Sequence, residues 1–229
     1  AEASARDFQS LTLRQVRHRY RRDGEDGAFL LGPLDLTLTP GEVVFLVGGN
    51  GGGKTTLAKL LVGLYEPESG QVLLDGEVMT GARRERYRQR FAAVFSEFHL
   101  FEDLLGLSAG DLDARARALL ARLQLSHKVR VEGGTFSTTE LSRGQQKRLA
   151  LLVAYLEDRP VYVFDEWAAD QDPIYKEVFY TELLPDLKAR RKAVLVITHD
   201  DQYFHLADRR LKLASGRIEE QRAQAFTAS

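Results

Sequence analysis

Three stretches of the chain are apolar at almost every position: residues 42–48 (EVVFLVG), 160–166 (PVYVFDE) and 193–200 (AVLVITHD). A strand with one face in water alternates apolar and polar side chains, so an unbroken run predicts a strand covered on both faces, as in a parallel sheet. After the first run, Leu57, Leu60, Leu61 and Leu64 recur at helical spacing within TTLAKLLVGLY (55–65), which predicts an amphipathic helix. Strand, helix and strand in alternation predict an α/β layer fold. Each run ends in residues that a core would not select: a glycine loop with a lysine, then Asp165 and Glu166, then Thr198, His199 and Asp200. Ligands of open α/β sheets bind beyond the carboxyl ends of the strands, so the three endings are expected to meet at one site.

Other segments carry different periods. LTLRQVRHRY (11–20) and FLLGPLDLTLTPG (29–41) have the alternation of antiparallel strands, and GQVLLDGEVMTG (70–81) reads as a hairpin around Asp75-Gly76. From about 102 to 156 the pattern is helical, in LDARARALLARLQL and then RGQQKRLALLVAYLED. The expected organisation is a single domain over residues 1–229 with three parts. These are an antiparallel flank near 8–41 and 70–81, a mainly parallel core near 42–69 and 157–215, and a helical insertion near 102–156. No internal repeat or low-complexity tract interrupts it.

Composition narrows the class of function. The 229 residues are 44% hydrophobic and 28% charged, ordinary for a globular chain able to bury a core. With 32 basic and 33 acidic side chains, the net charge of -1 offers no global field for nucleic acid or an anionic membrane. RRERYRQR (83–90) holds five arginines against one glutamate, without the aromatic interleaving of a single-strand binder, and reads as a solvated helix face. Zero cysteines exclude disulfides and thiolate metal sites. No segment approaches the roughly 20 apolar residues of a membrane span, and the start lacks the apolar centre of a signal peptide. The chain is expected to be soluble as given; its start without Met is expected of a processed product or a piece of a longer protein.

GGNGGGKT, residues 48–55, matches G-x-x-x-x-G-K-[ST] between a predicted strand and a predicted helix, the context in which that spacing cradles phosphate. Gly48, Gly49, Gly51, Gly52 and Gly53 leave backbone N–H groups open to phosphate oxygens beside Asn50, and the helix start adds its positive dipole end. Lys54 is expected to reach the β- and γ-phosphates, and Thr55 to ligate Mg²⁺, with Thr56 at the same helix start. FDEWAADQDP (164–173) then brings four acids, Asp165, Glu166, Asp170 and Asp172. Asp165, ending a strand beside the loop, is the expected metal-side ligand. Glu166 is expected on the opposite side of the strand, placed to polarise an attacking water. Asp170 has no assigned task.

GGNGGGKT, LSRGQQKRLALLVAYL (141–156), VYVFDE, QDP and TH occur together in one order over nearly the whole chain. The combination resembles the ATP-binding-cassette (ABC) family, whose signature is usually Leu-Ser-Gly-Gly-Gln. That resemblance implies a P-loop NTPase core of mainly parallel sheet flanked by helices, with an antiparallel β subdomain and a helical subdomain. It implies ATP and Mg²⁺ as ligands, and a head-to-tail homodimer of nucleotide-binding domains in which each ATP lies between the phosphate loop of one copy and the signature of the other. By position, Ser142, Arg143, Gly144 and Gln145 would face the γ-phosphate across that interface; a helix N-terminus suits an anion, and LSRGQQ also reads as a serine-capped helix start. Asp172 matches the aspartate that crosses the interface, His199 the switch histidine at the γ-phosphate, and Tyr20 the aromatic that stacks on adenine. Glu166, His199 and Lys54 would be the catalytic set.

Departures from the family pattern refine the picture. VFSEFHLF (94–101) places Ser96 where the family has a glutamine linking metal, water and membrane part, with Glu97 next to it. Either could take the role; Ser96 is the one expected to face the metal. Arg143 replaces a signature glycine. Together with FDEWAADQDP these features resemble the cyclic-peptide and siderophore exporters, the syringomycin and pyoverdine type, in which a membrane domain precedes the cassette in one polypeptide. The implied function is ATP-driven export, on the cytoplasmic face of a bacterial inner membrane, through a transmembrane domain absent from this chain. A soluble cassette acting on nucleic acid or ribosomes would bring tandem cassettes or a coiled-coil insertion, and a small-molecule P-loop kinase would explain neither the signature nor His199.

Overall fold

Continuous apolar runs become strands whose alternate side chains enter two different cores. The computed structural model of the protein describes residues 8–21, 28–97, 100, 104, 111–169 and 171–222. In chain order, β1 (Leu11–Arg21) and β2 (Ala28–Leu38) precede β3 (Val43–Val47) and helix α1 (Lys54–Leu61). The hairpin β4 (Ser69–Leu74) and β5 (Glu77–Val78) leads to the short α2 (Arg84–Arg88) and β6 (Phe91–Val94). Helix α3 (Leu112–Arg122), the small hairpin β7 (Val131–Glu132) and β8 (Thr135–Phe136), and α4 (Arg143–Glu157) follow. Then come β9 (Val161–Asp165), α5 (Pro173–Val178) continuing through a π-turn into α6 (Leu184–Ala189), β10 (Ala193–Ile197), β11 (Arg209–Ala214) and β12 (Arg217–Arg222).

The central sheet has the order β12-β11-β3-β10-β9-β6, parallel except for the β11–β12 pair. Val44, Leu46, Val161, Val163, Leu195 and Ile197 point to one face, against Leu57, Leu60 and Leu61 of α1 and against Leu13 and Leu34 of the antiparallel sheet. Val43, Phe45, Tyr162, Phe164, Val194 and Val196 point to the other, against Leu149 and Leu152 of α4 and Phe179 and Leu187 of the α5–α6 segment. Each strand is thus covered on both sides, which is why its sequence does not alternate. The antiparallel sheet has the order β2-β1-β4-β5, with left-handed Asp75 and Gly76 making the expected tight turn.

The end of α1, the arginine-rich run and the β7–β8 hairpin, which interrupts the stretch expected to be helical, depart from the sequence expectation. Leu64 does not continue the buried stripe of α1: the helix ends at Leu61, Gly63 turns with φ 76°, and Leu64 is 47% exposed. A positive φ at glycine is a helix stop, so residues beyond it lose the helical period. The arginine-rich run is only partly a solvated face. Tyr87 is buried, its hydroxyl donates to the Leu61 carbonyl, and Arg88 Nε donates to the Gly63 carbonyl at 3.0 Å. It therefore caps the end of α1, satisfying carbonyls that a helix C-terminus leaves open. β6, β11 and β12 belong to the central sheet without the long apolar runs that marked its middle strands.

Register sets the site. Ile197 pairs with both Asp165 and Leu46, so β3, β9 and β10 finish level, and the segments that leave them start from one edge.

Candidate nucleotide site

The glycine loop climbs from β3 into α1, and its glycines are required for different reasons. Gly48 has φ 146°, and a Cβ there would sit 2.3 Å from the Leu213 carbonyl oxygen; Gly53 has φ 93° and closely faces Leu31 and the Tyr20 hydroxyl. Gly49 would meet nothing within 4 Å. Gly48→Ala is therefore expected to destabilise the fold by roughly 3 kcal/mol, whereas Gly49→Ala should stay within about 0.5 kcal/mol of wild type. Denaturant unfolding of both variants without nucleotide checks this; the opposite ranking would contradict the loop geometry.

Lys54 opens α1 and folds back over the loop, its amine donating to the Gly48 and Gly49 carbonyls at 2.9 and 3.0 Å. It is only 5% exposed, and burial lowers its pKa while Glu166 and Asp165 oppose that shift. The next residue, Thr55, donates its hydroxyl to Asp165 Oδ2 at 2.9 Å. Strand parity makes this contact possible: Val161, Val163 and Asp165 share the face that packs on α1.

Asp165 is fully buried, and its other oxygen, Oδ1, has no hydrogen-bond partner. Burial pushes its carboxyl above the usual range, opposed first by the Thr55 hydrogen bond. A desolvated carboxylate oxygen with no donor, beside a threonine hydroxyl, fits a hard cation with oxygen ligands. Among the described residues no group of three or more His, Cys, Asp or Glu side chains forms a protein metal cage. The donor set suits Mg²⁺ bound through few protein oxygens, the remainder coming from phosphates and water.

Glu166 does not lie on the strand face opposite Asp165. β9 ends at Asp165, and Glu166 turns into the left-handed region at φ 51°, its N–H donating to the Ile197 carbonyl at 3.1 Å. That turn brings the carboxylate back to the loop: Oε1 lies 3.3 Å from His199 Nε2 and 3.9 Å from Lys54 Nζ. Alternation ceases to apply once the backbone leaves β geometry, which corrects the sequence expectation. The segment carrying His199 is braced from behind. Tyr180 bonds Thr198 Oγ1 at 2.6 Å and Asp200 Oδ2 at 3.0 Å, and Lys176 pairs with Asp200 at 2.7 Å. The sequence reading passed over Lys176 and Tyr180, which nothing in local spacing ties to residue 200.

A groove of about 320 Å³ is lined by Tyr20, Asn50, the loop residues through Thr56, and Glu166. Tyr20 reaches it from β1 by donating its hydroxyl to the Gly51 carbonyl at 3.3 Å. Ser96 is half-buried just beyond β6, the strand beside β9, while Glu97 is exposed. Ser142, Arg143, Gly144 and Gln145 are not in this groove. They begin α4 through a capping box: Ser142 Oγ accepts from the Gln145 N–H, and Gln145 Oε1 from the Ser142 N–H. Asp172 likewise caps α5, accepting from the Ile174 N–H at 3.1 Å. Asp170 lies outside the described residues.

Comparison with known proteins agrees with this geometry. A sequence model described as ABC transporter matches residues 31–169. The chain is 55% identical over 216 residues to the ATP-binding protein SyrD of Pseudomonas syringae pv. syringae, covering 93% of this chain but only 38% of that protein. Its fold superposes on a bacterial Atm1-family ABC exporter with ATP bound, with TM-score 0.80 at 23% identity, covering 95% of this chain and 39% of the other. A dimeric ATP-binding cassette in a post-hydrolysis state, bound to ADP and Pi, matches with TM-score 0.78 at 22% identity, covering 94% and 100%. With a phosphate-binding loop, strand-end acids and a signature helix in place over a matching sequence, the chain belongs to the ABC transporter family, as one of its ATP-hydrolysing domains.

Proposed function

We propose that this domain powers an exporter at the cytoplasmic face of a bacterial inner membrane, as a head-to-tail homodimer coupled to a transmembrane domain, and that the cargo is a cyclic peptide or siderophore precursor. The observation that carries the catalytic part is the convergence of Glu166 Oε1 with His199 and Lys54, of which Glu166 and Lys54 line the groove. The exporter part is supported by the likeness to SyrD and to an exporter fold, and the dimer by the dimeric neighbour.

In this reading Tyr20 stacks on adenine while the backbone from Gly48 to Thr56 and the N-terminus of α1 hold the phosphates. Lys54 exchanges its two loop carbonyls for phosphate oxygens, a stronger charge-assisted contact. Thr55 and Asp165, with Ser96 as a third candidate, would hold Mg²⁺, which when bound neutralises phosphate charge. Glu166 accepts a proton from the attacking water, and His199 orients that water at the γ-phosphate. Ser142 serves its cap as an acceptor and so keeps its O–H for donation, which suits it to a phosphate of the partner copy alongside Arg143, Gly144 and Gln145. Asp172 faces the same interface.

The test is ATP-dependent uptake of cyclic peptides and siderophore precursors into inverted membrane vesicles carrying the intact protein. Uptake that disappears in the Glu166→Gln variant is expected. Absence of uptake, with ATPase activity stimulated by RNA or DNA, would favour the soluble reading instead.

A further inference from the structure

Among the described residues, Lys147 is the one lysine that ranks with the largest fully buried side chains, at 1% exposure, on the apolar side of α4. Leu151 and Ala154, four and seven positions on, continue that buried stripe. An ammonium costs more to desolvate there than a methionine of similar length would, so its presence calls for a specific contact. One such contact is with the turn that carries Glu166. Lys147 Nζ donates to the Glu166 carbonyl at 3.4 Å, and the carbonyl of Lys147 accepts from Trp167 Nε1 at 2.8 Å. A third link joins Gln171 Nε2 to the Gly144 carbonyl at 3.2 Å. The left-handed backbone of Glu166 is uncommon for glutamate and persists only where its surroundings hold it.

We propose that Lys147 is a positioning residue: it latches the left-handed Glu166 backbone to the signature helix, so that the catalytic carboxylate is aimed only when that helix is correctly seated. The inference rests on the proposed function, in which the N-terminus of α4 meets the nucleotide bound to the partner copy. One helix then touches the partner's ATP at its first turn and this copy's Glu166 one turn later. The 3.4 Å bond is long for an ammonium and leaves room to shorten as the dimer closes.

The test compares Lys147→Met, which keeps chain length without a donor, with Lys147→Gln, a shorter donor, in the intact protein and in the Glu166→Gln background. Lys147→Met is expected to lower kcat at least about tenfold with the KM for ATP within about twofold, Lys147→Gln to lose less, and neither to slow Glu166→Gln further. Emission from Trp167, the sole tryptophan, should stay unshifted, reporting an intact pocket. A kcat within twofold of wild type, a KM that rises with the loss, or a loss undiminished in the Glu166→Gln background would overturn the proposal. If Lys147→Met does not fold, the same criteria apply to Lys147→Gln. A wild-type protein without ATPase activity, or Glu166→Gln turning over at the wild-type rate, would instead overturn the catalytic reading beneath it.

Discussion

Glu166→Gln is expected to cut ATP turnover by at least about a hundredfold while leaving ATP affinity within about twofold. Glutamine is nearly isosteric, so the left-handed turn at φ 51°, the N–H bond to Ile197 and the latch to Lys147 all persist. The amide keeps an oxygen in place of the carboxylate that lies 3.3 Å from His199 and 3.9 Å from Lys54, but it cannot accept a proton from water. The ATP contacts proposed for the glycine loop, Lys54 and Tyr20 are untouched by the substitution, so the interaction expected to be lost is one made in the transition state. Nucleotide should then accumulate between two copies, visible as an ATP-dependent dimer by light scattering. Unimpaired hydrolysis would remove Glu166 from the proton-accepting role.

Lys54→Ala is expected to weaken ATP binding by roughly a hundredfold, about 3 kcal/mol, the scale of one or two charge-assisted hydrogen bonds to phosphate. The amine now spans the Gly48 and Gly49 carbonyls, and its burial depresses its pKa, so the ammonium is a net cost to the ligand-free fold. That cost separates function from stability. Lys54→Met, which keeps the methylenes, should lose the same affinity without lowering the unfolding midpoint, whereas Lys54→Ala also opens a small void at a site only 5% exposed. Titration calorimetry with ATP measures the first effect and thermal unfolding the second. Equal affinity in wild type and variants would refute the assignment of residues 48–55 as the phosphate cradle.

The parts of the fold legible in the sequence were those where burial leaves a period. β3, β9 and β10 are solvent-free on both faces and read as continuous apolar runs, and the Asp75-Gly76 hairpin carried its turn chemistry in two residues. Shorter or edge elements were less legible. β6 has four residues, and β11 and the edge strand β12 carry charged residues among few apolar ones, so none of the three stood out from flanking loops. Leu64 misled because a helical spacing continues in sequence past the glycine at which the helix ends in space. Glu166 misled for the same kind of reason: the period-two rule was extended one residue beyond the strand.

What the residues alone supplied was the chemistry proposed for the site, because a phosphate-loop pattern and a helix cap each depend on contiguous residues at fixed spacing. GGNGGGKT could be read alone, the pair Asp165 and Glu166 only beside that loop, and LSRGQQ alone only as a serine-capped helix start. Which of those residues meet follows from the fold. Sheet register placed the ends of β3, β9 and β10 on one edge, bringing Thr55 to Asp165 across 110 positions and Glu166 to His199. The seating of α4 set Lys147 under Glu166, and β1 of the antiparallel sheet set Tyr20 against Gly51. Such contacts join residues far apart in the chain, and no local period records them; they follow from how strands align and helices seat on the sheet.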